Sequence, residues 1–144
     1  KASQTFGKIE KVQAEVINAS SEETDGEEAT NLTDGDAATI WHTMYSVTLA
    51  KYPHWVDLDA KDVKLVKGIT YLPRQDSDNG NIQVSTDGKT WSDPVAEGSF
   101  ERNRKEKTVR FDKPVKARYI RFTALSEQQG HDYASGAEIG ILAE

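Results

Sequence analysis

The sequence predicts an all-β chain folded as an antiparallel β-sandwich or jelly roll. Three observations carry this: strand-length stretches of alternating apolar and polar residues, turn dipeptides between them, and the lack of any stretch with a helical face. In chain order the expected strands are 55–59 (WVDLD), 65–72 (LVKGITYL), 81–85 (NIQVS), 108–111 (TVRF), 117–123 (ARYIRFT) and 138–142 (EIGIL). The turns fall at Asp34-Gly35, Asn79-Gly80, Asp87-Gly88 and Lys113-Pro114, where Gly supplies positive φ or Pro presets φ. Residues 20–30 (SSEETDGEEAT) read as an acidic, solvated loop and 99–107 (SFERNRKEK) as a charged hairpin or loop, both surface rather than site.

At 144 residues the chain is one domain's worth, long enough to bury roughly two-thirds of its unfolded surface unaided. Eighteen Lys and Arg stand against 24 Asp and Glu, a net charge of −6. That field repels phosphate backbones and anionic lipid, so nucleic acid is not an expected partner. With no cysteine, disulfides and thiol chemistry are excluded. No apolar run reaches membrane-spanning length, and no membrane insertion is expected. The first residues, KASQTFGKIE, read as a tether over 1–10 leading into a module over 11–144. The start has neither an initiator Met nor a signal-peptide core, as in a piece cut from a larger polypeptide. Asn18-Ala19-Ser20 and Asn31-Leu32-Thr33 match the glycosylation sequon.

The run NLTDGDAATIW at 31–41 concentrates oxygen ligands in a tight turn. Asp34, Asp36 and Thr39 offer side-chain oxygens, Asn31 can offer a carbonyl, and Gly35 permits the positive φ that wraps such a loop around a cation. Hard oxygen donors suit calcium better than zinc. Read alone, the two aspartates serve equally well as Asx-turn residues capping their own backbone.

Taken together, TDGDAATIW at 33–41, PHWVDLD at 53–59, GITYLPRQ at 68–75, STDGKTW at 85–91, ARYIRF at 117–122 and GAEIGI at 136–141 resemble the discoidin-like, factor five/eight C-type jelly rolls. Among those the chain resembles the family 32 carbohydrate-binding modules, and the motifs span most of its length. In one departure the 80–85 segment is short for the family, which implies a shortened strand or altered register there. The resemblance implies a structural calcium held by Asn31, Asp34, Asp36 and Thr39 from the loop and by the Ala137 carbonyl and Glu138 carboxylate from the last strand. A glycan on Asn31 would collide with that ion, so a bacterial source or an unused sequon is expected.

The resemblance also places a sugar site at His42 and Tyr45 (WHTMY), Arg74 (YLPRQ) and Asn79. The chemistry suits a pyranose. His and Asn give directional donors and acceptors to hydroxyls, the Arg fork grips neighbouring oxygens, and an aromatic face covers the sugar's CH surface. The loop QQGHDYASGAE adds Tyr133 and His131 as candidates for a further wall. Individually these residues have structural readings: His42 as a hydrogen-bonded residue beside a buried Trp, Arg74 as half of a surface ion pair, Tyr45 lying across the core rim. Their co-occurrence favours the sugar. Trp55 and Trp91 read as core, Trp41 as packed beneath the metal loop and His54 as structural.

With no GxSxG elbow, Cys nucleophile, HExxH or phosphate-cradling glycine loop, nothing singles out an active site. The expected function is a non-catalytic, monomeric carbohydrate-binding module. It would target a larger, glycoside-active bacterial enzyme, extracellular, cell-surface or periplasmic, to terminal galactose or N-acetylgalactosamine, with other domains of the parent polypeptide as its covalent partners. The alternative is a structural spacer or protein-docking module that keeps the fold without the sugar site. Phospholipid binding fits poorly with an acidic, cysteine-free chain.

Overall fold

The structure, a computed structural model, describes residues 10–76, 78–87 and 90–144. Residues 1–9 of the expected tether and Gly88 of the Asp87-Gly88 turn lie outside these. Among the described residues nine strands and one 3-10 turn follow in order: β1 (Glu10–Val12), β2 (Glu15–Ala19), the 3-10 turn (Ala29–Thr33), β3 (Trp41–His42), β4 (His54–Leu72), β5 (Asn81–Thr86), β6 (Ala96–Ser99), β7 (Lys107–Ala124), β8 (Ser135–Gly136) and β9 (Glu138–Ala143). All pairings are antiparallel. The main sheet runs β1-β9-β4-β7-β5-β6 with β2 added alongside β4, and β3 pairs β8 separately. Among the described residues no helix is long and apolar enough to cross a membrane.

The two long strands make the sandwich. Strand β4 pairs through its first half with β2 and the end of β7, and through its second half with β9 and the start of β7. Register shifts between Asp59 and Lys64 and between Val66 and Gly68 bend it, with Lys61 at φ 77° inside the first bend. The halves then face each other: Tyr71, late in β4, stacks at 5.5 Å on Phe122, late in β7, although their sheet partners are Lys107 and Val56. Val56, Leu58, Val66, Ile69, Ile120 and Ile141 fill the space between, all fully buried. The alternation in WVDLD and ARYIRFT explains which residues turn inward.

Several expectations change. Segments 55–59 and 65–72 are one strand, because the residues between them form a bulge rather than a turn. Lys113-Pro114 likewise lies inside continuous β7, where pairing with β4 lapses between Arg110 and Val115 and the missing proline N–H breaks no ladder bond. Segment 81–85 forms an ordinary six-residue strand in unbroken register with β6 and β7, so the anticipated register change is absent. Strands β1, β2, β3, β6 and β8 were not anticipated. They are short, and β6 (AEGS) has no apolar alternation to mark it.

At Gly68 the strands approach so closely that an added Cβ would lie 2.3 Å from the Val109 carbonyl oxygen, a backbone atom that cannot swing away. Gly68→Ala is expected to destabilise the domain by about 1–3 kcal/mol, as overpacking does, read by denaturant or thermal melts. An unchanged midpoint would contradict this register.

Candidate functional site

Backbone pairing assembles the site at one end of the sandwich. The acidic 20–28 segment runs beside β3: the Glu23 amide donates to the His42 carbonyl at 2.8 Å and the His42 amide to the Glu27 carbonyl at 3.2 Å. On the other side the Thr43 amide donates to the Ala134 carbonyl at 3.0 Å, and the Ala134 amide donates to the Thr43 hydroxyl at 3.1 Å. Glu27, His42 and Tyr133 are thereby set side by side.

Two buried carboxylates hold the remaining loops. Glu23 accepts from the Tyr45 and Ser46 amides, each at 2.9 Å, and from the Ser46 hydroxyl at 2.5 Å. These bonds, the Ser46 hydroxyl foremost, hold its carboxyl down at about 2. Asp78 accepts from the Arg74 amide at 2.8 Å, the Tyr71 hydroxyl at 2.6 Å and the Ser135 hydroxyl at 2.6 Å. Desolvation pushes the Asp78 carboxyl above the ordinary range against the pull of those donors. The Arg74 loop is thus tied both to β4 and to β8.

Glu27, His42, Tyr45, Arg74 and Tyr133 line an open pocket of ≈ 380 Å³. The His42 ring meets Tyr45 edge-on at 4.7 Å and Tyr133 at 4.8 Å. The Arg74 guanidinium lies 5.8 Å over the Tyr133 ring. His42 Nδ1 is 2.7 Å from the Thr43 carbonyl, which can only accept, so in the neutral ring Nδ1 carries the proton and Nε2 is an acceptor. The Arg74 Nε is buried with no hydrogen-bond partner, a donor awaiting an acceptor. The Tyr45 hydroxyl donates to Glu27 Oε1 at 3.4 Å. An imidazole acceptor, a guanidinium donor and a carboxylate between aromatic rings can bind a polyhydroxylated ring, orienting its hydroxyls and covering its apolar face.

Of the expected sugar residues, His42, Tyr45, Arg74 and Tyr133 converge here. Asn79 is not among the lining residues. It is buried, its Nδ2 donating to the Tyr71 hydroxyl and the Ser135 carbonyl at 3.1 and 2.9 Å, its Oδ1 accepting from the Ser135 amide at 3.3 Å. His131 stands outside as a buttress, stacked on Tyr133 at 4.9 Å with Nδ1 2.9 Å from Glu127 Oε1. The reading of 20–30 as surface alone is corrected, since Glu23 is buried and Glu27 lines the pocket. Nothing in SSEETDGEEAT distinguishes Glu27 from its acidic neighbours; pairing with β3 selects it. Trp55 and Trp91 are also corrected. Both are partly exposed, and they sandwich the Arg121 guanidinium at 3.9 and 4.6 Å instead of joining the core. Trp41 is buried, and His54 is structural, its Nε2 2.6 Å from the Asp132 carbonyl.

The expected metal loop closes on the last strand. Gly35 adopts φ 77° and its amide donates to Glu138 Oε1 at 3.2 Å. Asp34 Oδ1 accepts from the Asp36 amide at 2.8 Å, and its Oδ2 accepts from the Thr39 hydroxyl. The Asn31 side-chain Nδ2 braces the loop by donating to the Gly26 and Ile40 carbonyls at 2.7 and 2.8 Å. Ala137 is buried next to Glu138, whose Oε2 is buried without a partner. Burial first, then the adjacent Asp34 carboxylate, push Glu138 up to about 7. Desolvation acts the same way on Asp34, but the Thr39 and Asp36 donors outweigh it and leave that carboxyl below its ordinary value. Among the described residues no group of three or more His, Cys, Asp or Glu could hold a metal ion. The fit to a hard cation therefore rests on two carboxylates joined by hydroxyl and carbonyl oxygens, with one orphaned carboxylate oxygen inside.

Comparison with known proteins agrees with this fold. The family model for the F5/8 type C domain matches residues 16–139. A sialidase of Micromonospora viridifaciens is 38% identical over 95% of the chain, which spans 22% of that enzyme's length. Module CBM32-3 of a family 31 glycoside hydrolase from Clostridium perfringens superposes with a TM-score of 0.81 at 33% identity, covering 92% of each chain. The family 32 module of C. perfringens NanJ, solved in complex with galactose, superposes with a TM-score of 0.76 at 29% identity over 90% of this chain and 93% of that one.

Removing Asp78 would leave the Tyr71 and Ser135 hydroxyls and the Arg74 amide without their shared acceptor. Asp78→Ala is expected to cost about 2–3 kcal/mol in a denaturant melt and to broaden the amide resonances of the Arg74 loop. A melt within error of wild type would show that the loop is held by other contacts.

Proposed function

The chain belongs to the F5/8 type C domain family, and from that premise we propose that it is a non-catalytic carbohydrate-binding module that delivers a larger, exported, glycoside-active enzyme to terminal galactose or N-acetylgalactosamine. One observation carries this reading: the His42 imidazole, though largely buried, and the Arg74 guanidinium line a single open pocket together with the Tyr45 and Tyr133 rings. A spacer that had lost its ligand would have no reason to keep a buried guanidinium nitrogen unpartnered. The galactose-type preference draws support from the NanJ module's complex and from the geometry of an axial C4 hydroxyl, which leaves one broad apolar face for Tyr45 or Tyr133. The parent-enzyme role draws on the sialidase, of which a chain of this length is a minor part. Glu27 joins the site as a hydroxyl acceptor beside Tyr45.

We further propose a structural calcium between the Asp34 and Glu138 carboxylates and the Thr39 hydroxyl, with further oxygens from Asn31, Asp36 and Ala137, tying the loop to the last strand. A bound cation would satisfy the orphaned Glu138 oxygen and offset the repulsion between two neighbouring carboxylates.

Two outcomes are expected. By calorimetry, galactose or N-acetylgalactosamine binds with a Kd of roughly 1 mM, about −4 kcal/mol, and His42→Ala and Arg74→Ala each weaken it at least ~10-fold, about 1.4 kcal/mol. Silence towards galactose, N-acetylgalactosamine and fucose alike, with both variants indistinguishable from wild type, would leave only the spacer reading.

For the metal, the sign follows from Glu138. Its folded-state value of about 7 lies above the ordinary 4.5, so in chelator its stabilising contribution is complete below 4.5 and is lost as pH rises through about 7. The melting temperature in chelator should fall across that window, Glu138→Gln should flatten the fall, and calcium should stabilise increasingly above it. Identical melts with calcium and with chelator at pH 8 would end the calcium proposal.

A further inference from the structure

A groove of ≈ 630 Å³ lies on the outer face of the sheet, and it shares no residue with the loop pocket. Its walls include Ile17, Asn18, Asp57, Asp87, Trp91 and Tyr119. Strand β2 slips between Val16 and Asn18, placing both Ile17 and Asn18 opposite Asp57, and this bulge turns the Ile17 side chain outward, 51% exposed. Asp57 and Arg121 are cross-strand partners and form a bidentate pair at 2.7 and 3.0 Å. The same guanidinium is clamped between the Trp55 and Trp91 rings. Trp91 is therefore a fixed platform, with its polar neighbour Asp57 also fixed. Arg118 lies 5.1 Å over the Tyr119 ring and binds Asp59 at 2.8 Å, which pins the second aromatic wall.

We propose that this groove is a second saccharide-binding surface, taking a neutral oligosaccharide whose apolar ring faces lie on Trp91 and Tyr119 and whose hydroxyls meet Asn18 and Asp57. The volume falls in the roughly 300–1,000 Å³ of small-ligand sites. A protein partner would need on the order of 800 Å² of complementary surface, and only Ile17 and parts of two rings are apolar here. Among the described residues no Lys or Arg lines the groove, the Arg121 guanidinium beside it is committed to Asp57 and the two indoles, and the Asp87 carboxylate opposes uronates, sialic acids and sulfated sugars. The preorganised rings bind at small entropic cost. With the loop pocket, such a surface would make one module bivalent towards a polymeric glycan.

The test uses the His42→Ala, Arg74→Ala double variant, so that failure of the loop pocket and failure of the groove are separable. Neutral oligosaccharides of galactose, glucose, mannose and xylose, and acidic ones of galacturonate, are titrated at mM concentration. The Trp91 indole resonance and calorimetric heats are recorded. A neutral oligosaccharide should shift the Trp91 signal saturably in this background, and Trp91→Ala or Tyr119→Ala should weaken that binding at least tenfold. Trp91→Ala in the otherwise wild-type chain should leave galactose binding at the loop pocket unchanged, which also shows that the variant folds. The proposal is overturned if no neutral sugar moves the indole, if galacturonate binds equally well, or if the indole responds only to a neighbouring domain of the parent polypeptide.

Discussion

The loop end of this sandwich depends on a buried carboxylate. Asp78 draws the Arg74 amide, the Tyr71 hydroxyl and the Ser135 hydroxyl onto one side chain. Those donors belong to the loop after β4, the end of β4 itself and β8. A charge in such a place is expensive unless every lone pair is used, and here the expense secures geometry. Tyr71 is locked in turn by stacking on Phe100 at 4.9 Å and on Phe122 at 5.5 Å. The polar network is thereby anchored in the hydrophobic core, and a shift in core packing would be felt at Arg74.

The same device recurs at smaller scale. Glu23 gathers the Tyr45 and Ser46 amides, and the Arg121 guanidinium gathers Asp57 and two indoles. In each case a charged group positions surface aromatics by taking up local donors or acceptors. An acidic chain can spend its carboxylates this way because most remain solvated, and only those with several donors go inside.

What could be read in advance divides along the same physical line. The strand pattern was legible because burial of Val56, Leu58, Ile120 and Phe122 imposes a period of two on the sequence. His42, Tyr45 and Arg74 were singled out by the resemblance to the family, and the fold brings them to one pocket. Glu27 was not. It enters the pocket because the backbone of 20–28 pairs with β3, and a pairing with so short a strand leaves no periodic trace. Trp55 and Trp91 were misread because hydrophobicity predicts burial, while cation stacking on Arg121 is a tertiary event that places aromatics at the surface. Asn79 shows the converse: an amide competent for sugar contact is fully engaged inside the Asp78 cluster.

These constraints bear on affinity. A shallow pocket closing on one terminal sugar gains few contacts, and free loops would lose much of that gain to ordering. Here Glu23 and Asp78 already hold the Tyr45 and Arg74 loops, and the Thr43–Ala134 bonds hold Tyr133. The ordering cost is met at folding, so in the proposed function the small contact energy would be available for binding and for discrimination between epimers. Rigidity cannot enlarge the pocket, however, and in the proposed function retention on a surface would have to come from effective concentration, through a second site on the same module or through further modules of a parent polypeptide. In the proposed function a weak, rigid and repeatable contact would also leave an attached enzyme free to move from one sugar to the next, since fast dissociation at each site is compatible with slow loss from the whole glycan.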